Sequence, residues 1–207
     1  FRHGKLNNGL TYYVRHTTMQ PGKADFYLVQ NVGALMEEDN QNGLAHFLEH
    51  MAFNGSESFK EGIPNFLKRR GVTRFNAQTG QDETVYYMTG IPTNDTGLID
   101  SCILVMKDWS GFLLLKPDEI DKERGVIREE RRMRRNLGAR IKEQTDPFVF
   151  NNSKYATRNV IGSEEIINNF TPEELRAYYN DFYRPDLQAV IIVGDIDAAQ
   201  IEVEIQR

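Results

Sequence analysis

Two segments near the start of the chain have the residue pattern of β-strands. Residues 9–17 are rich in tyrosine, valine and threonine and follow the turn pair Asn8-Gly9. Residues 24–35 are similarly apolar and follow the turn pair Pro21-Gly22. Because only a short polar stretch with turn residues separates the two segments, they are predicted to pair as a β-hairpin.

Two later segments also have the character of strands. Residues 83–92 are rich in β-branched and aromatic residues and end at Pro92. Residues 188–196 form a continuous apolar run, QAVIIVGDI. A run of this kind is typical of a strand that is buried on both faces or nearly so.

Helical patterns occupy much of the rest of the chain. Residues 171–183 begin with Thr171 as N-cap, Pro172 at the first helical position and Glu174 completing a capping box. Residues 117–135 carry acidic side chains in the first turn and arginines in the last, as the helix dipole favours. Two other helices are predicted, a short one over residues 63–70 that ends at Gly71 and a long apolar one over residues 96–115.

The order of these elements predicts the fold class. The strands follow one another without a regular helix between each pair, which argues against an alternating α/β fold with a parallel sheet. We therefore predict an α+β fold in which helices pack on one face of a mostly antiparallel β-sheet.

One helical segment carries an unusual set of polar residues. Residues 42–55, NGLAHFLEHMAFNG, are predicted to form a helix of about three turns, with Asn42 as N-cap and an end at Asn54-Gly55. The segment is otherwise apolar, so its helix is expected to be buried. His46, Glu49 and His50 lie within it and call for a chemical explanation.

Composition excludes some classes of function. The chain has 207 residues, of which 40% are hydrophobic, and its net charge is −5. The negative charge argues against nucleic acid as a partner, and the basic run at residues 131–135 lies on a segment that also carries Glu123, Glu129 and Glu130, as on a solvated helix face. No segment approaches the roughly 18–20 consecutive apolar residues of a membrane span. The single cysteine, Cys102, lies in an apolar segment and cannot form an internal disulfide bond.

The spacing of the two histidines predicts a metal site. Residues four apart on a helix share a face, so His46 and His50 would direct two imidazoles to one point. That geometry suits zinc, and Glu49 beside them could act as general base on zinc-activated water. His-x-x-Glu-His is the motif of the inverzincin peptidases. If the histidines were instead ordinary helix residues, burying them and Glu49 without partners would cost several kcal/mol by rough account.

A catalytic zinc usually takes three protein ligands, so a third ligand is expected from another segment. Glu123 and Glu130 are two turns apart on the acidic helix and share a face, whereas Glu129 is rotated by about 100°. We predict that Glu130 is the third ligand and that Glu123 hydrogen-bonds a ligating histidine or the bound water. Glu129 remains an alternative ligand. All three would be solvated surface charges if the histidines bound no metal.

Several motifs together resemble the pitrilysin-type zinc peptidases, a family that includes insulin-degrading enzyme and the mitochondrial processing peptidase. The resemblance spans nearly the whole chain and is strongest to the PqqL-like branch of bacterial members. The motifs that carry it are GKLNNGLTYYVRH, GLAHFLEHMAFNGSESF, FNAQTGQDETVYY, ERGVIREE and YRPDLQAVIIVGDID.

The resemblance implies more about the site and the partners. Members hydrolyse peptide bonds, bind one zinc ion per site and bind the substrate as an added strand along a sheet edge, which here maps onto Asn76 and Ala77. Phe53 matches a position in the pocket for the residue before the scissile bond. Residues 1–207 would form a single N-terminal catalytic domain that works with a C-terminal half or a partner subunit. The isolated domain is therefore expected to cleave peptides poorly.

The bacterial likeness suggests the periplasm or cell envelope as the location. Two other functions fit the same sequence features. One is a non-catalytic scaffold subunit of the same fold, and the other is a metal hydrolase that acts on non-peptide substrates.

Overall fold

The computed structural model describes residues 1–151 and 153–207. Within this part of the chain there are six β-strands: β1 Arg2–Lys5, β2 Thr11–His16, β3 Lys23–Gln30, β4 Phe75–Thr79, β5 Thr84–Pro92 and β6 Gln188–Gly194. The α-helices are α1 Leu44–Met51, α2 Ile63–Arg69, α3 Thr96–Gly111, α4 Pro117–Arg134, α5 Leu137–Val149, α6 Lys154–Thr157, α7 Glu164–Asn169, α8 Pro172–Phe182 and α9 Ala198–Gln206.

The strands form one sheet in the order β1-β2-β6-β3-β5-β4. β2 and β6 run parallel, and every other neighbouring pair in the sheet is antiparallel. This arrangement confirms the predicted α+β class with a mostly antiparallel sheet. β1 and β4 form the two edges, and neither was predicted as a strand from the hydrophobic pattern, because each is short.

The predicted hairpin between residues 9–17 and 24–35 is wrong. β6, from the other end of the chain, lies between β2 and β3 and pairs with both. The continuous apolar run of β6 explains this position, because a strand in the middle of a sheet has neighbours on both edges and is well covered. The linker between β2 and β3 therefore crosses over one strand instead of forming a tight turn.

The two faces of the sheet differ in burial. Tyr12, Val190, Leu28, Tyr86 and Ala77 are paired in register across five strands, and all of them are buried on the helix side. The residues next to them along each strand point to the opposite face and are less buried. The core thus lies between one face of the sheet and the helices, and it continues up to the edge strand β4.

The helix boundaries differ in two places from the predicted ones. The helix with the histidines begins after Gly43, not Asn42, and it ends at Met51, so α1 has about two turns instead of three. Gly43 has a φ of 112°, a backbone conformation that residues other than glycine rarely adopt. The long helix α3 ends at Gly111, four residues before the predicted end. Among the described residues, we find no helix with the length and apolar character needed to cross a membrane.

Candidate metal centre

α1 and α4 bring three side chains to one point. Oε2 of Glu130 on α4 lies 3.1 Å from Nε2 of His50 and 3.6 Å from Nε2 of His46. One ligand atom from each of the three residues lies within 4.8 Å of the other two. The imidazole ring centroids of the two histidines are 4.7 Å apart. The residues expected to hold zinc are therefore adjacent, although they come from segments that are far apart in sequence.

The two histidines have opposite electrostatic environments. Burial, together with nearby His50 and Arg134, lowers the pKa of His46 to about 3, so its imidazole is neutral, as a metal ligand must be. Burial also lowers the pKa of His50, but the hydrogen bond to Glu123 and the surrounding carboxylates outweigh it, so the pKa is raised. The carboxylates thus favour a positive charge at this point of the cleft.

Glu123 lies where it can orient one of the histidines. Its Oε1 lies 2.7 Å from Nδ1 of His50, which can donate a hydrogen bond to it. A carboxylate in this position fixes the ring and leaves Nε2 free to bind a metal. Glu129, the alternative third ligand, has a different environment, because it is exposed and pairs with Arg132 on the same helix.

Glu49 lies beside the three side chains and is held by the edge strand. The hydroxyl of Thr79 on β4 donates a hydrogen bond of 2.6 Å to Oε2 of Glu49. Burial raises the pKa of Glu49, while the hydrogen bond from Thr79 opposes this effect. A raised pKa brings the carboxyl closer to the range in which it can both accept and return a proton. Thr79 was not predicted as a site residue, although it lies in the FNAQT motif.

Arg134 is a second residue of the site that was not predicted. Its Nη2 lies 2.5 Å from Oε1 of Glu130, one helical turn earlier on α4. The other oxygen of Glu130 is thereby left to face the histidines. The spacing of a glutamate and an arginine four residues apart on a helix could have indicated this pair.

The side chains present fit a zinc ion. Oε2 of Glu130 is buried without a hydrogen-bond partner among the described residues, although it faces two imidazole nitrogens. When His50 is neutral, as a metal ligand must be, and its Nδ1 donates to Glu123, its Nε2 carries a lone pair that points towards another acceptor, Oε2 of Glu130. A cation shared by these atoms removes the conflict, and two imidazoles with one carboxylate form a common ligand set for catalytic zinc.

The three candidate metal ligands line an open cleft of about 490 Å³. Phe53, Asn76 and Ala77 lie in the same cleft, as the resemblance implied. Asn76 and Ala77 belong to β4, the last strand of the sheet, so one side of this strand has no neighbouring strand among the described residues. The edge that could accept an extended peptide is therefore next to the candidate metal centre.

Comparison with known proteins identifies the class to which this fold and site belong. The sequence profile described as Insulinase (Peptidase family M16) matches residues 14–145, and the profile described as Peptidase M16 inactive domain matches residues 169–207. The chain belongs to the M16 peptidase family, and the predicted resemblance is confirmed.

Individual members of the family are similar to this chain in sequence and in structure. The chain is 37% identical over 204 residues to the "Probable zinc protease PqqL" of Haemophilus influenzae, and the alignment covers 97% of this chain but 22% of that protein. It matches "the first half of the periplasmic protease PqqL from Escherichia coli" with a TM-score of 0.93 and 32% identity, over 99% of this chain and 44% of the other. Pitrilysin, at 21% identity and a TM-score of 0.83, shares the fold over 99% of this chain and 22% of the other.

Proposed function

We propose that this chain is the zinc-binding catalytic domain of a metalloendopeptidase. The observation that carries the proposal is the convergence of His46, His50 and Glu130 on one point beside Glu49. When bound, zinc would polarise the scissile carbonyl and acidify a water molecule. The names of the relatives, zinc proteases, agree with this chemistry.

The residues of the chain divide the remaining work. Glu49 takes the proton of the attacking water and returns it to the leaving amine, as a general base that becomes a general acid. Thr79 holds the Glu49 carboxylate, and Glu123 fixes the His50 ring. The free edge of β4 binds the peptide backbone as an added strand, and Phe53 lines the pocket for one substrate side chain.

The chain spans 22% of the length of the Haemophilus influenzae relative. We propose that residues 1–207 are a single N-terminal domain of a longer peptidase and that the remaining part completes the substrate chamber. On this proposal the domain alone cleaves peptides poorly. Because an Escherichia coli relative is described as periplasmic, we place the enzyme in the periplasm or cell envelope.

The Glu49→Gln substitution tests the role of the general base in the longer enzyme that we propose contains this chain. Glutamine keeps the size of the side chain but cannot take a proton. We expect hydrolysis of a peptide library to fall by about 10²–10⁴-fold, with zinc content unchanged. Glu57→Gln, at an exposed position of the loop that follows α1, is the control and should keep full activity.

Wild-type activity in Glu49→Gln would show that another group is the base. Zinc binding without any peptide cleavage by the longer wild-type enzyme would favour a hydrolase for other substrates. A wild-type chain that binds no zinc would favour the scaffold alternative.

A further inference from the structure

A buried carboxylate lies at the start of α1, outside the cleft. Glu37 has no exposed surface. Its Oε1 accepts a hydrogen bond of 2.9 Å from the backbone N–H of Ala45, and its Oε2 accepts one of 3.1 Å from the Asn42 amide. A buried carboxylate is costly, so a position that keeps one calls for an explanation.

The contact with Ala45 supplies a cap that α1 otherwise lacks. The N-cap residue, Gly43, has no side chain with which to accept the free N–H groups of the first turn. Glu37, six residues earlier, reaches back to the second residue of the helix. When the carboxyl is ionised, its negative charge also lies at the positive end of the helix dipole.

The first turn of α1 also carries one of the proposed zinc ligands, because His46 is the third residue of the helix. α1 has only eight residues, and a helix this short is not stable by itself in water. If the first turn frays, His46 moves with it, whereas His50 lies one turn further on. The cap at Ala45 therefore acts directly on the position of His46.

Glu37 is itself held by a segment that is far away in sequence. The buried Arg158 donates a hydrogen bond of 3.0 Å to the backbone carbonyl of Glu37. Ser163 donates a hydrogen bond from its backbone N–H to the carbonyl of Asn42. Gly162 packs directly against Gly43, and a Cβ atom added to Gly162 would lie only 2.4 Å from the Cα of Gly43. The cap is therefore held in place by residues that are not candidate metal ligands.

We propose that Glu37 is a positioning residue for the zinc site, which acts by holding the first turn of α1 and thereby His46. The inference rests on the proposed zinc function. A residue that only stabilises the fold would affect zinc binding only as far as its substitution lowers stability. The inference instead predicts that substitutions of Glu37 weaken zinc binding more than an equal loss of stability elsewhere in the chain.

The test compares zinc affinity among four variants of the full chain, measured by competition with a chromogenic chelator. Glu37→Gln keeps the shape but removes the charge and turns an amide donor towards Asn42. We expect it to weaken zinc binding about tenfold, as is typical for groups that orient metal ligands. Glu37→Asp keeps the charge but is too short to reach Ala45 and should also weaken binding, so it serves if the glutamine variant does not fold.

Two controls separate positioning from stability. Glu38→Gln removes the same charge at the neighbouring, exposed position and should bind zinc as the wild type does. Val14→Ala creates a cavity on β2, far from β4 in the sheet, and should lower the melting temperature without weakening zinc binding. The d–d absorption bands of bound Co²⁺ should shift only in the two Glu37 variants, because they report ligand geometry.

The outcomes distinguish the inference from the proposed function. If the wild type binds zinc and both Glu37 variants bind it as tightly as the wild type does, the inference is wrong, whereas the proposed zinc site is not contradicted. If Val14→Ala weakens binding as much as Glu37→Gln, Glu37 contributes only stability, which also overturns the inference. If the wild type binds no zinc, the proposed function itself fails.

Discussion

Thr79 connects two parts of the site that the sequence presents separately. It belongs to the edge strand on which we propose that substrate binds, and its hydroxyl holds the proposed base, Glu49. The carboxylate of Glu49 is buried, so its orientation depends on the few donors that reach it. A hydrogen bond to a charged group is worth about 1.5–3 kcal/mol, enough to affect catalysis measurably.

Thr79→Val tests this connection. Valine keeps the shape of threonine but cannot donate to Glu49. In the longer enzyme, we expect kcat for peptide hydrolysis to fall about tenfold while KM and zinc content change little. Thr79→Ser restores the hydroxyl and should recover most of the rate, and a valine variant with the wild-type kcat would contradict the role of Thr79.

The buried carboxyl group of Glu37 should make the stability of the zinc-free chain depend on pH. Burial raises the pKa of Glu37 from 4.5 to about 7, against hydrogen bonds from Ala45, Gly43 and Asn42 that lower it. Because the folded state holds the proton more tightly than the unfolded state, stability is greatest below pH 4.5 as far as this group is concerned and falls as the pH rises to about 7.

Urea unfolding between pH 5 and pH 8 with EDTA measures this effect. Relative to Glu37→Gln, the wild type should lose up to about 3 kcal/mol of unfolding free energy as the pH rises, since one pKa unit corresponds to about 1.4 kcal/mol. A constant difference between the two proteins over this range would mean that the carboxyl does not titrate there.

At the scale of elements, α3 anchors the segment that follows α1, the helix with the two histidines. The indole N–H of Trp109 donates to the carbonyl of Ala52, directly after α1. Next to it, the buried carboxylate of Asp108 accepts three hydrogen bonds. One comes from the hydroxyl of Ser56, and two come from the hydroxyl and the backbone N–H of Ser58. α1 is therefore held at both ends by residues from other segments, which compensates for its short length.

Asp108→Ala should destabilise the chain strongly. It leaves the donors of Ser56 and Ser58 without their acceptor and opens a space in the core. We expect a loss of about 3 kcal/mol in the free energy of unfolding, measured with urea. The control is Asp100→Ala on the exposed face of α3, which should change the free energy by less than about 0.5 kcal/mol. Equal effects of the two substitutions would contradict the anchoring role of Asp108.

The elements that sequence patterns predict well are those with local causes. The capping box of Thr171 and Glu174 is present, and α4 begins at Pro117 within the predicted helix. The start of α1 has a distant cause, because Glu37 and the segment around Gly162 fix it, so Asn42 was the wrong N-cap. The pairing of β2 with β6 likewise depends on residues almost 180 positions apart, and local patterns carry no information about it.

At the scale of the whole molecule, the sheet and its helices bring α1, α4 and β4 together around one cleft. The histidine spacing predicts two metal ligands on α1, since helix geometry alone determines it. Glu130 was predicted as the third ligand from its seven-residue spacing to Glu123 on the acidic helix, and the family resemblance agreed with that choice. Nothing local links α4 to α1, so the spacing alone did not exclude Glu129. The contacts of Thr79, Arg134 and Glu37 depend on tertiary packing, which the spacing of residues does not indicate.

The central claim is that His46, His50 and Glu130 bind a single zinc ion. Elemental analysis of the purified chain, wild type against His46→Ala, tests it most directly, with His3→Ala as a control at an exposed histidine. We predict one zinc ion per chain in the wild type and in His3→Ala, and almost none in His46→Ala. A wild-type chain without zinc, or a full complement of zinc in His46→Ala, would contradict the claim.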